Sequence, residues 1–153
     1  MNVREWLFRK FLKNFGVVEK NSIYRSGQPG WIRRAIIYYF YPFKSVINLA
    51  WAPNTDCQDN DEKIFCTKRG IKYCSFLWGA GGPISKEEML KAYELMIKLD
   101  KPIWVHCEGG KDRTGGLIAF WKKQQGYSFD NIFEDFEVHK YPAWRWIGLL
   151  FEE

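Results

Sequence analysis

His106-Cys107-Glu108-Gly109-Gly110-Lys111-Asp112-Arg113-Thr114 is the stretch of this chain that decides its fold. The short apolar run 102–105 before it predicts a strand, and the apolar run 114–121 after it predicts a helix. A glycine-bearing loop between a strand and a helix N-terminus turns several backbone N–H groups toward one point, which makes an anion cradle. The stretch therefore predicts a strand–loop–helix unit that binds an anion.

Two side chains in this loop carry the predicted chemistry. Cys107 lies at the floor of the cradle, where the helix dipole and nearby cations favour the thiolate, which is the nucleophilic form of cysteine. Arg113, six positions later, can form two parallel hydrogen bonds to a phosphate, which a lysine could not imitate. An inert buried thiol and a surface ion pair are the alternatives. The spacing favours a cysteine nucleophile that attacks a phosphate ester.

The pattern His-Cys-x-x-Gly-x-x-Arg-Thr resembles the signature of the cysteine-dependent protein tyrosine and dual-specificity phosphatases. Ile23-Tyr24-Arg25-Ser26-Gly27-Gln28-Pro29 is similar to the entry segment of the small atypical dual-specificity group of bacteria, fungi and plants, and 44–49 and 70–73 resemble its next strands. The resemblance runs from about Ile23 to Tyr127. It implies a phosphatase that uses no metal or cofactor and acts through a phosphocysteine intermediate. The implied substrate is phosphotyrosine, with phosphoserine or phosphothreonine as further substrates.

The resemblance also implies roles for the neighbours of the cysteine. His106 orders the loop and supports the thiolate. The Thr114 hydroxyl donates a hydrogen bond to the departing thiolate and can also cap the following helix. Gly110 is expected to allow an unusual backbone angle and close approach of the phosphate. The phosphate-binding residues are then expected to be Glu108, Gly109, Gly110, Lys111, Asp112 and Arg113.

The general acid is the open point of this interpretation. Better-known members of the family place an aspartate on a separate loop some thirty positions before the cysteine, whereas residues 76–83 here contain no carboxylate. Asp112, inside the cysteine loop, is the replacement we expect; otherwise it is an aspartate favoured by the helix dipole. More distant candidates come from another loop: Asp56, Asp59 and Asp61.

The charges beside the loop bear on the substrate. Lys111 adds positive charge, as in lipid-directed relatives, whereas Glu108 places a negative charge where a highly anionic inositol group would sit. This balance favours a phosphoprotein substrate. A phosphoinositide or inositol-phosphate phosphatase is the alternative, and a catalytically silent phosphoresidue-binding module is a second alternative.

Composition limits the class of protein. The chain has 153 residues, which fits one domain over 1–153 with a sizeable core. It has no apolar run that could span a bilayer, and the four cysteines lack metal-ligand spacing.

We expect a cytoplasmic protein, because Cys107 must stay reduced. We expect no nucleic-acid partner. The other three cysteines are expected to be buried or partly buried small residues. Oligomeric state is left open.

The N-terminal part of the chain is both basic and apolar. Residues 1–45 hold nine Lys/Arg against Glu5 and Glu19, a charge of +7, and the remainder sums to −2. Within residues 1–20 we expect a basic amphipathic helix, because apolar residues recur at helical spacing: Leu7, Phe8, Phe11, Leu12 and Phe15. Such a helix can lie on an anionic membrane. We expect instead that its apolar stripe packs on the domain.

Alternating patterns predict an α/β fold with a mainly parallel sheet of four to five strands and helices on both faces, like that of dual-specificity phosphatases. The predicted strands are near 23–25, 45–50, 71–76 and 103–106. The predicted helices are near 4–15, 31–39, 61–69, 85–99, 114–125, 128–138 and 142–151, with polar loops at 53–60 and 79–83.

Overall fold

The computed structural model describes residues 3–50, 56–79, 81, 84–140, 146, 148 and 150, without the side chains of 4, 5 and 56–60. The described part contains six helices and five strands. In chain order they are α1 (Val3–Phe11), β1 (Gly16–Glu19), β2 (Ile23–Gly27), α2 (Trp31–Phe40), β3 (Ser45–Asn48), α3 (Asp56–Thr67), β4 (Lys72–Ser75), α4 (Lys86–Lys98), β5 (Ile103–Cys107), α5 (Asp112–Gln124) and α6 (Phe129–His139).

The five strands form one sheet in the order β1-β2-β5-β3-β4. The central strand β5 pairs in parallel with β2 and with β3, β4 is parallel to β3, and β1 is antiparallel to β2. The predicted mainly parallel sheet is confirmed. The antiparallel edge strand β1 was not predicted, because four residues are too few to show an alternation of apolar and polar side chains.

Both faces of the sheet are buried, as expected for parallel strands. Alternate residues of β5 point to opposite faces, so Ile103 and Val105 join one apolar cluster and Trp104 joins the other. The first cluster contains buried residues of α4, α5 and α6, and the second contains buried residues of α2 and α3 together with Leu12 and Phe15. Helices therefore cover both faces.

Three predicted boundaries differ from the structure. The N-terminal helix ends at Phe11 instead of continuing to residue 15, because Lys13 and Asn14 adopt positive φ angles of 56° and 65°. Helix α3 begins at Asp56, so residues 56–60 are helical and not a polar loop. The predicted helix near 142–151 and parts of the predicted loops, residues 53–55, 80, 82 and 83, lie outside the described residues, apart from positions 146, 148 and 150.

The remaining cysteines match expectation where they are described. Cys66 is buried, and burial raises the pKa of its thiol to about 12. Cys74 is half-buried, and burial raises its pKa as well. Both thiols stay protonated at neutral pH. The side chain of Cys57 is outside the described part. None of the helices in the described part is long and apolar enough to cross a membrane.

Candidate active site

The cysteine loop lies at the carboxyl end of the central strand. Cys107 is the last residue of β5 and is buried, and α5 begins five residues later at Asp112. Anionic ligands of parallel α/β sheets bind at this edge, where helix N-termini and strand ends meet. The predicted strand, loop and helix are therefore confirmed.

Three hydrogen bonds hold carbonyl groups of the loop from outside. The Gln28 N–H donates to the Glu108 carbonyl at 3.1 Å. Arg25 Nη2 and Asn14 Nδ2 donate to the Gly110 carbonyl at 2.9 and 3.0 Å. In a trans peptide the C=O and the next N–H point in opposite directions. The N–H groups of Gly109 and Lys111 are therefore turned away from these partners, which is the arrangement an anion cradle requires.

Gly110 is required by the packing of the loop against β2. Its φ is +65°, a left-handed conformation that favours glycine, so the expected unusual angle is confirmed. A Cβ here would overlap the backbone of Ser26 and Gly27. Gly110 thus also lies close to the end of β2, and the expected close approach of a phosphate stays a prediction.

Arg113 is anchored to the two neighbouring strand ends. Its Nη1 donates to the Trp78 carbonyl at 2.7 Å and lies 3.4 Å from the Leu49 carbonyl. Its Nη2 lies 3.9 Å from Glu108 Oε2, an exposed carboxylate that gives a weak ion pair. The side chain is buried, so these contacts fix the direction of the guanidinium.

His106 contacts a carboxylate that the sequence analysis did not identify. His106 Nε2 lies 3.0 Å from Glu62 Oε2, and both side chains are fully buried. The imidazole also packs on Trp104, with ring centroids 4.6 Å apart. The expected ordering role of His106 thus has a structural basis in its contact with Glu62 of α3.

Asp112 accepts a hydrogen bond from an indole. Trp146 Nε1 donates to Asp112 Oδ1 at 2.9 Å, and the same ring packs so closely on α5 that a Cβ at Gly116 would come within 2.6 Å of it. Gly116 therefore accommodates Trp146. The role of Asp112 as general acid stays a prediction.

Thr114 does not cap α5. The helix begins at Asp112 with Lys111 as its N-cap, so Thr114 lies inside the first turn. Its hydroxyl is buried and has no hydrogen-bond partner among the described residues. Its predicted hydrogen bond to the thiolate is therefore compatible with the described contacts.

The remaining candidates divide by exposure. Glu108, Gly109 and Lys111 are exposed at the mouth of the loop, and their expected phosphate binding stays a prediction. Asp61 is exposed on α3, and the side chains of Asp56 and Asp59 lie outside the described part. Among side chains the structure describes, no three His, Cys, Asp or Glu residues are grouped to hold a metal ion.

A buried polar network supports the loop from beneath. Arg25 forms an ion pair with Asp135, which also lies 3.6 Å from Lys122 Nζ. His139 Nδ1 lies 3.0 Å from Asn14 Oδ1, so the two residues that hold the Gly110 carbonyl both reach α6. Burial and the Arg25 charge lower the pKa of His139 to about 3. The imidazole is therefore neutral at neutral pH.

Comparison with known proteins shows which family this chain resembles in sequence. A model of the tyrosine phosphatase family matches residues 11–149. The OCA1 protein of Mycosarcoma maydis, whose name assigns it provisionally to the tyrosine-protein phosphatases, is 32% identical over 80% of this chain and 77% of its own length. The inositol diphosphatase DSP3 of Arabidopsis thaliana is 29% identical over 92% of this chain and 68% of its own length.

A solved structure shows the same architecture. The core catalytic domain of the PP-IP phosphatase SIW14 from S. cerevisiae, crystallised with citrate, superimposes with a TM-score of 0.76. It is 28% identical in sequence, and the match covers 92% of this chain and 85% of that domain. The full SIW14 protein is longer, and the match spans 47% of it.

Proposed function

Since the chain belongs to the tyrosine phosphatase family and fits its small atypical dual-specificity group, we propose that this phosphatase hydrolyses inositol diphosphates. The observation that carries the proposal is the likeness, over 92% of the chain, to the inositol diphosphatase DSP3 and to the SIW14 domain. These comparisons support the inositol-phosphate alternative better than the phosphoprotein substrate that the charge balance favoured.

Two exposed lysines beside the loop support this substrate. Lys111 is the N-cap residue of α5. Lys13 Nζ donates to the Gln28 carbonyl at 3.0 Å, and Gln28 itself bonds to the loop at Glu108. An inositol carrying several phosphates would offer groups to both lysines while one phosphate lies in the cradle. A single phosphotyrosine would leave these cations unused.

The chemistry of the leaving group also fits. A diphosphate is cleaved with a phosphate as leaving group, which is a weaker base than the tyrosinate released from phosphotyrosine. The demand for a strong general acid is correspondingly lower. The lack of a carboxylate in residues 76–83 should therefore slow the cleavage of a diphosphate less than that of phosphotyrosine.

In the proposed mechanism, the Cys107 thiolate attacks the terminal phosphorus while the P–O bond to the leaving phosphate breaks. Arg113 and the loop N–H groups hold the equatorial oxygens of the transferring group. Thr114 donates to the thiolate as water hydrolyses the phosphocysteine, and Asp112 exchanges the protons. Inorganic phosphate leaves and the thiolate is restored.

A substrate panel tests this proposal. Inositol diphosphates, phosphotyrosine peptides and phosphoinositide vesicles would be compared by phosphate release with a chelator present. We expect the highest kcat/KM with inositol diphosphates, and none of the activities in Cys107→Ser, because an alcohol cannot replace the thiolate. A higher kcat/KM for phosphotyrosine peptides would overturn the proposal.

Lysine variants sharpen the comparison. Lys13→Ala and Lys111→Ala should raise KM for inositol diphosphates while leaving KM for a small aryl phosphate little changed. Lys68→Ala is the matched control, because Lys68 is equally exposed but follows α3 at the opposite edge of the sheet. Equal effects on both substrates would remove the lysines from substrate recognition.

A further inference from the structure

The outer sides of α1 and α2 expose large apolar residues that the catalytic site does not use. Leu7 and Phe11 of α1 are 52% and 55% exposed, and Trp31 and Ile32 of α2 are 70% and 53% exposed. The expected packing of the N-terminal stripe holds for Leu12, which is fully buried, but fails for Leu7 and Phe11. Phe15 is also buried and Phe8 packs against the same apolar cluster, so Leu7 and Phe11 are the members of the stripe that face outward.

These residues form one continuous surface. Leu7, Phe11 and Ile36 line a shallow cavity of about 340 Å³. Phe11, Trp31 and Ile32 line a second cavity of about 330 Å³. Because Phe11 borders both, the two cavities are adjacent. We call the surface of Leu7, Phe11, Trp31, Ile32 and Ile36 the apolar face; a contiguous patch of this kind marks an interaction site, unlike scattered exposed residues.

Basic side chains surround the apolar face. Arg33 places its guanidinium carbon 5.4 Å from the centre of the Phe11 ring, and Lys10 Nζ lies 5.1 Å from the Trp6 ring. The acidic residues of the first 45 positions are Glu5 and Glu19, so the region is strongly positive. An occupant of this surface must be apolar in part and negatively charged at its border.

We propose that the apolar face docks on the surface of an anionic lipid membrane. Trp31 and Phe11 would enter the interface between headgroups and acyl chains, where aromatic rings are favoured. Lys10 and Arg33 would reach the anionic headgroups, since long basic side chains bury their stems and keep their charges in water. The positive border argues against a second copy of the chain, because a two-fold interface would bring like charges together.

This docking would place the phosphate loop beside the lipid headgroups. The Gly27 N–H donates to the Lys13 carbonyl at 2.6 Å, and a Cβ at Gly27 would touch the loop at Glu108 and Gly109. Trp31 begins α2 four residues after Gly27. The apolar face and the catalytic loop therefore meet at one edge of the molecule. The inference does not depend on which phosphate compound is hydrolysed.

Vesicle sedimentation tests the inference. The full chain would be mixed with phosphatidylcholine vesicles that do or do not contain phosphatidylserine. We expect binding that requires phosphatidylserine and weakens with added salt, because exposed charges are screened. Ile32→Ser should weaken binding about tenfold through lost apolar contact, and Arg33→Gln about fivefold through lost charge. No sedimentation with phosphatidylserine vesicles would overturn the inference.

A matched variant locates the contact. Ile97 on α4 is 51% exposed, nearly the same as Ile32, but lies on a helix that packs on the other face of the sheet. Ile97→Ser should bind vesicles as the wild type does, and melting temperatures should show that both serine variants are folded. Equal binding by both variants would overturn the assignment to this face. Self-association lost in Ile32→Ser, without vesicle binding, would assign the face to a second copy and also overturn it.

Discussion

The hydrogen bonds of Arg113 fix the direction of its guanidinium in the catalytic loop. One of its nitrogens, Nη1, donates to the Trp78 carbonyl at 2.7 Å, whereas Nη2 has only a weak ion pair with the exposed Glu108. In the proposed mechanism, Nε and Nη2 hold the phosphate. An arginine can form both sets of hydrogen bonds because its donors lie in a rigid plane. The protein contacts therefore orient the guanidinium before a substrate arrives.

Replacing Arg113 by lysine tests this double use. A single ammonium cannot bind the Trp78 carbonyl and two phosphate oxygens together, so we expect Arg113→Lys to lower kcat/KM about 10²- to 10³-fold. Steady-state phosphate release measures the loss. Arg33→Lys, at an exposed site on α2, should retain wild-type kcat/KM and serves as the control. Activity of Arg113→Lys near the wild-type level would remove Arg113 from the site.

The role of Asp112 can be separated from its structural contact with Trp146. If Asp112 protonates the leaving group, Asp112→Asn should slow aryl phosphates with poor leaving groups by about 10²- to 10⁴-fold and activated ones much less. Asparagine retains the oxygen that accepts the Trp146 hydrogen bond at 2.9 Å, so the loop should stay in place. The measurement is kcat/KM across a leaving-group series.

Trp146→Phe is the companion variant. It removes the indole donor but keeps an aromatic ring against Gly116. A loss confined to poor leaving groups would show that Trp146 orients the acid. Uniform losses across the series in Asp112→Asn would instead make Asp112 a structural residue of the loop and contradict the acid assignment.

At the scale of elements, the loop between β5 and α5 is shaped by the end of β2 as much as by its own sequence. The Gly110 carbonyl is held by Arg25 of β2, and the Gly110 backbone lies against Ser26 and Gly27. The N-terminal connection contributes as well, since Asn14 reaches the same carbonyl. Two segments distant in sequence therefore help to set the backbone of the cradle.

Gly110→Ala tests this packing. The variant would suffer a left-handed backbone, which costs about 1–2 kcal/mol, together with overlap against Ser26 and Gly27. We expect a lower free energy of unfolding in urea and loss of phosphate release. Gly109→Ala is the stability control, because the nearest atom to a Cβ there is Lys111 Cγ at 4.0 Å. The same change in unfolding free energy for both variants would contradict the account.

At the scale of the whole molecule, the buried polar network joins the chain's first and last described helices to the catalytic loop. Arg9 Nη1 of α1 donates to the Val138 carbonyl of α6 at 2.9 Å, and Asn14 Nδ2 lies 3.3 Å from the His139 carbonyl. His139 and Asp135, both on α6, complete the network around Arg25. In such a network, a buried polar group that loses its partner destabilises the fold.

The network makes stability depend on pH. The pKa of His139 falls to about 3 in the fold, from an ordinary value of 6.5, because burial and Arg25 disfavour the imidazolium. Between these values the unfolded chain binds the proton and the folded chain does not. The contribution of His139 is therefore complete above pH 6.5 and is lost as the pH falls.

A variant isolates this contribution. Between pH 7 and pH 5, the free energy of unfolding of the wild type should fall by about 2 kcal/mol more than that of His139→Gln. Glutamine can still donate a hydrogen bond to Asn14 Oδ1, so the variant should fold. Urea unfolding at each pH measures the difference. Parallel curves for the two proteins would show that His139 titrates normally in the fold.

The sequence alone determined the parts of this protein that depend on neighbouring residues. The cysteine loop with Cys107 and Arg113, its flanking strand and helix, and the mainly parallel sheet all follow from patterns within short segments. Glycine at position 110 was recognisable for the same reason, because its backbone angle is a local requirement. The resemblance to the phosphatases rested on the same contiguous residues.

Only the tertiary structure decided which distant residues complete the site. Glu62 lies 44 positions from His106, Trp146 lies 34 positions from Asp112, and Arg25 and Asn14 lie 85 and 96 positions from Gly110. No periodicity spans such separations, because these contacts exist only once the sheet has brought the segments together. The same holds for the apolar face: spacing predicted an amphipathic α1, but the packing of α1 and α2 left Leu7 and Phe11 exposed while burying Leu12.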